Sequence, residues 1–74
     1  MLTNTALLVR TFEVRLLDPN GYSVIAEHRV PKPEVEALRD LYLSRDAVEH
    51  ATEWADIGYR LIDYRVRVFE VTGR

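Results

Sequence analysis

Two histidines, two serines and a surplus of carboxylates are the side chains with which this sequence could do covalent or acid–base chemistry. Ser23 lies in a stretch of alternating polarity and Ser44 just ahead of a helical pattern. Neither has a histidine placed by sequence to activate it, so strand and cap roles account for both. His28 falls on the apolar side of its alternating stretch, where an edge-of-core histidine is expected. His50 stands at helical spacing from Asp46 and Glu53, a stripe that would hold a metal weakly because no second histidine is beside it. Carboxylate pairs are plentiful, but acid–base catalysis needs a cleft that separates their pKa values. A chain of 74 residues buries too little surface to enclose one unaided. Gly21, Gly58 and Gly73 stand alone, so there is no glycine-rich phosphate loop. With no cysteine there is no thiol nucleophile, disulfide or cysteine zinc site. No catalytic residue, metal or cofactor is therefore assigned, and an enzyme would need a site built at a subunit interface, with His28 and His50 the groups to test.

The elements that would position these groups can be read from polarity and turn chemistry. Leu8, Phe12, Val14 and Leu16 alternate with Thr11, Glu13 and Arg15, the period of a half-buried strand. Asp18-Pro19-Asn20-Gly21 is a turn: Asp at the first position, Pro presetting φ at the second, Gly accepting positive φ at the fourth. With Asp18 opposite Tyr22, counting outward pairs Leu16 with Val24, Val14 with Ala26 and Phe12 with His28, all on even positions. Pro31 ends the second strand and Pro33 suits the first turn of a helix. Helical signal continues to Ile57, with Gly58 as the natural stop. Val35, Leu38, Leu41 and Tyr42 form one apolar face, while Ala47, Val48, Ala51, Trp54 and Ala55 form another, about 150° away at about 100° per residue. A straight helix cannot bury both against one sheet. Asp46 with Glu49 matches a capping box, so a break near 43–45 is expected, with one bent helix as the alternative. A last strand over residues 60–71 places Ile62, Tyr64, Val66 and Val68 on one side.

These elements predict a single domain over residues 1–74 of the α+β class. A three-stranded antiparallel sheet of order 2-1-3 has its even-numbered face covered by a bent or broken helical segment, in a β-β-α-(α)-β topology. The odd-numbered face mixes Leu7, Val9, Leu17, Ile25, Leu61, Phe69 and Val71 with charged residues, where a bare sheet face is usually more polar. The expectation is either scattered exposed apolar residues with the N-terminal stretch folded back over them, or self-association through this face or an open edge, since an apolar patch rimmed by charge marks an association surface.

Charge is unevenly spread. The net charge is −2, but residues 33–57 carry seven acids against two arginines, −5, and the remainder carries +3. The expectation is an ordinary solvated helix face or an acidic helical side set against a mildly basic sheet. Interfacial helices are rich in Lys and Arg, so a membrane-surface role is excluded. Met1–Ala6 lacks the positive start and apolar run of a secretion signal, which with the missing cysteines predicts a cytoplasmic location.

The function expected is a non-enzymatic protein–protein interaction module, homodimeric, that binds another macromolecule. Its contact residues would be Val9, Ile25, Leu61 and Phe69 on the sheet back, rimmed by Arg15, Arg65 and Arg67. A second docking face would be acidic: Glu36, Asp40, Glu49, His50 and Glu53. The alternative is weak single-stranded nucleic-acid binding by the arginine-bearing sheet face with Phe69 as a stacking group. Against that reading, Glu13, Glu27 and Asp63 are expected on the same face, where they would cancel much of its charge.

Overall fold

The computed structural model describes residues 10–71. Strand β1 (Thr11–Leu17) is central, with β2 (Ser23–Pro31) antiparallel on one side and β3 (Arg65–Val71) antiparallel on the other. Between β2 and β3 a helical segment lies over one face of the sheet. The α+β plan and the 2-1-3 order expected from the sequence are those of the structure. Among the described residues no helix is long and apolar enough to cross a membrane.

The hairpin turn forms as its residues require. The Asp18 amide donates to the Tyr22 carbonyl at 2.9 Å, and Gly21 takes a φ of 87°. The Asp18 carboxylate, nearly buried, accepts from the amides of Asn20 and Tyr22, both at 2.9 Å. Beyond the turn the expected register fails. Leu17 pairs with Ser23, but Leu16 pairs with Ile25 and Val14 with Glu27, leaving Val24 as an extra residue. A second shift lies further along, where His28 and Arg29 stand against Glu13 alone before Phe12 pairs with Val30. Arg29 adopts a φ of 62°, the left-handed backbone that such a bulge demands of one residue. The first bulge reverses which residues of β2 share a face with Val14 and Leu16, and the second restores the original phase. Val30 is therefore buried, while His28 sits on the opposite side of the sheet from the core.

The helical segment does not break. Pro31, with extended backbone, precedes α1 (Lys32–Leu41), and Pro33 occupies its first turn. Residues Tyr42–Asp46 form a π-helical turn in which the Ala47 amide bonds to the Tyr42 carbonyl, and α2 (Ala47–Glu53) continues directly. Leu41, Tyr42, Asp46 and Ala47 all keep right-handed helical angles, and Asp46 makes no side-chain cap. The wider turn takes up one additional residue and rotates α2 relative to α1, so Tyr42 before it and Ala47 and Ala51 after it are all buried. The two apolar faces are thus reconciled within one helix.

At its C-terminal end α2 passes through Trp54 into a 3₁₀ turn (Ala55–Ile57) closed by Gly58 at a φ of 95°. A second 3₁₀ turn (Leu61–Asp63) replaces the expected start of the last strand. The reason lies in β1. The β1–β3 register would set residue 64 against Asp18 and residue 63 against Pro19, which are already in the hairpin turn and offer no ladder. Ile62, expected in the core, is instead 78% exposed.

The core is built from Val14, Leu16, Val30, Tyr42, Ala47, Ala51 and Tyr64, with Val24, Val35, Leu38, Leu43, Tyr59 and Val66 packed around it. The Tyr42 hydroxyl is buried with no hydrogen-bond partner among the described residues. A buried hydroxyl without a partner costs stability, and deleting it removes that cost. Tyr42→Phe should leave the urea unfolding midpoint unchanged or raise it, by up to about 1 kcal/mol. Asp18→Ala strands two amides and should lower stability by about 1–3 kcal/mol in the same assay.

Candidate functional site

Three surfaces carry the chemistry of this small fold. The first is the end of the helical segment. Here His50, Trp54, Tyr59 and Tyr64 form an aromatic cluster. The His50 ring lies 5.8 Å from Trp54 in a stacked arrangement, 6.3 Å from Tyr59 and 5.6 Å edge-on from Tyr64. Trp54 and Tyr59 stack at 5.8 Å. His50 Nδ1 lies 2.7 Å from the Tyr64 hydroxyl. Burial, with Asp18 and Tyr59 adding to it, pushes the Tyr64 pKa upward. Asn20 Nδ2 donates to the Tyr59 hydroxyl at 2.8 Å, which ties the hairpin turn to this end of the molecule. His50, expected on the acidic stripe with Asp46 and Glu53, is thus half-buried among aromatic rings.

Around that rigid cluster large apolar side chains face outward. Ile62 is 78% and Ile57 60% exposed, and Val48, Trp54 and Leu61 are exposed as well. Val48, Ala51, Thr52, Ala55, Tyr59 and Leu61 line a groove of about 320 Å³ beside them. The sequence reading missed this surface because it extended β3 backward through residues 60–64. The signal that could have shown it is Pro19, which cannot continue a ladder opposite residue 63.

The second surface is the face of the sheet opposite the helical segment. The register sets Arg15 directly opposite Arg67, Leu17 opposite Arg65 and Glu13 opposite Phe69. Glu13 accepts from the Arg15 guanidinium and lies 2.9 Å from His28 Nδ1. The Arg67 guanidinium sits over the Phe69 ring, 5.0 Å from its centre. Of the expected contact set, Arg15, Arg65, Arg67 and Phe69 do share this face. Ile25 does not: it pairs with the core residue Leu16 and lies on the helix side. Leu61 is in the 3₁₀ turn beside the helix, and Leu7 and Val9 lie outside the described residues. Glu27 also leaves this face, because the first bulge carries it to the side of Val14, and Asp63 is in a turn.

The third surface is the acidic helix. Glu36, Asp40, Glu49 and Glu53 are exposed along the helical segment. Glu36 lies 3.9 Å from Arg39, a solvated pair. The surface offers charge without a concavity that gathers these carboxylates.

No known protein family, curated protein or solved structure matches this chain.

The electrostatics of the sheet back are open to direct test. Hydrogen bonding from Arg15, more than the charges of Arg15 and His28, holds the Glu13 carboxyl below the ordinary carboxylate range. Because the folded value is depressed, the stabilisation is complete above the unfolded pKa, about 4.3, and is lost as pH falls through the lower folded value. NMR titration should show Glu13 ionising at lower pH than an unperturbed glutamate, and Arg15→Gln should move its midpoint upward.

Proposed function

We propose that this chain is a non-enzymatic protein–protein interaction module that docks through the apolar surface at the end of its helical segment and forms a homodimer there. The observation that carries this reading is an apolar groove lined by Val48, Tyr59 and Leu61, with exposed Trp54 stacked on Tyr59 and the exposed Ile57 and Ile62 close to that lining in the chain. Single exposed apolar residues are ordinary, whereas a contiguous group with Trp and Tyr anchors is the composition of an interface centre. Protruding side chains and a groove occur on the same patch, which suits an isologous contact in which each copy's Ile62 enters the other's groove. Exposed charges of both signs neighbour its residues in the chain, Glu53 before Trp54 and Arg60 between Tyr59 and Leu61, so orientation can be set without net repulsion. The hydrogen bonds within the cluster hold the patch in shape before binding, which lowers the ordering cost of association. We place the protein in the cytoplasm on the same footing, from the absence of cysteine and of a membrane-crossing helix among the described residues.

Light scattering behind a sizing column, over a range of concentration and salt, tests this reading. The expected result is a dimer that is insensitive to salt, because its centre is apolar. Ile62→Asp should shift the mass to that of a monomer while the circular dichroism of the folded protein is retained, since Ile62 contributes little to the core. A monomer at every concentration, or a dimer that survives Ile62→Asp, overturns the proposal.

A further inference from the structure

The back of the sheet, lined by different residues from that patch, has an electrostatic problem of its own. Arg15 and Arg67 are direct cross-strand partners, and Arg65 stands two residues from Arg67 on the same face. Like charges set opposite each other on neighbouring strands are destabilising. Glu13 offsets Arg15, but neither Arg65 nor Arg67 has a carboxylate within ion-pair distance among the described residues. In a chain whose net charge is −2, the described residues nevertheless set three guanidinium groups on this face against the Glu13 carboxylate, with Asp18 nearly buried at its turn end. The acids that would have balanced it, Glu27 and Asp63, are carried elsewhere by the bulge and the 3₁₀ turn.

Three further features decide the chemistry of the missing counter-charge. Arg65 and Arg67 are alternate residues of one strand, so they repeat at about 6.7 Å, comparable to consecutive phosphates of an extended polynucleotide strand. Phe69 continues the same row, is exposed, and carries the Arg67 guanidinium over its ring, a flat surface for an unpaired base. Arg65 and Arg67 also line a trough of about 530 Å³ with Leu17, Asn20 and Gly21 at the hairpin turn, so the row opens into a concave path. Asp18 is part of that trough, but one of its oxygens already accepts from the amides of Asn20 and Tyr22.

We propose that this face binds single-stranded nucleic acid, with Arg65 and Arg67 neutralising successive phosphates and Phe69 stacking on a base. A duplex offers no unstacked base to the ring, so single strands are the expected ligand. The bound phosphates replace the mutual repulsion of the guanidinium groups with charge-assisted hydrogen bonds.

The test is fluorescence anisotropy of a short labelled oligothymidylate titrated with the full chain across a series of salt concentrations. Log Kd should rise with log salt with a slope of about 1.4, since each of the two phosphates neutralised on a single strand contributes about 0.7. Arg65→Gln with Arg67→Gln should weaken binding about tenfold or more and leave little salt dependence. Phe69→Ala should cost about fivefold or more at unchanged slope. Ile62→Asp should bind as the wild type does, so this site and the apolar patch are read separately. Far-UV circular dichroism confirms that each variant is folded. Absence of binding at low salt, a flat salt response, or full binding by the double arginine variant overturns the proposal. So does a silent Phe69→Ala with inorganic polyphosphate competing equally per phosphate, which would mark a surface for phosphate alone.

Discussion

Strand β1 can present Val14 and Leu16 to one side of the sheet only, and every other element has to bring its apolar side chains into phase with that pair. β3 does so with no correction, through an unbroken register. β2 needs two bulges, one at Val24 and one at His28–Arg29, to deliver Val30 to the core at its far end. The helix needs one π turn to keep Ala47 and Ala51 on the side already set by Tyr42. Each correction is a single additional residue, and together they let a short chain close one continuous core.

Those same corrections govern where the fold was legible in the sequence. The α+β plan, the hairpin turn and the helix start at Pro33 all rest on local backbone chemistry, which a sequence states directly, whereas the helix ends at Glu53 and Gly58 closes a separate 3₁₀ turn. The sheet order came from connection lengths and strand polarity. The bulges were not legible, because the apolar run Val24-Ile25-Ala26 fits either phase of the strand and counting from the turn favoured unbroken pairing. What selects the bulged pairing is the burial of Val30, a tertiary gain. The π turn was half legible. The misalignment of the two apolar faces was visible, but a capping box at Asp46 was the simpler local explanation, and continuous helical packing overrode it.

The candidate surfaces obey the same rule. The arginine row on β3 kept the face that alternation assigned to it, since β3 is regular. Ile25, Glu27 and His28 changed sides with the bulge. The apolar patch at the helix end was invisible because it depends on where β1 stops, a limit imposed by Asp18 and Pro19 some forty residues away in the chain. In each case the residue types were informative and their neighbours were not.

The π turn has a consequence for how this molecule can change by insertion and deletion. Loss of one residue between Tyr42 and Ala47 would leave a regular helix, which is locally the better structure, yet it would turn everything after it by about 100°. Ala47 and Ala51 would swing off the sheet, and His50 would leave its hydroxyl partner on Tyr64. The side chains at positions 44 and 45 are exposed and open to replacement. The number of residues in this stretch is thus under much tighter constraint than their identity. A lineage could rewrite positions 44 and 45 and still be unable to drop one.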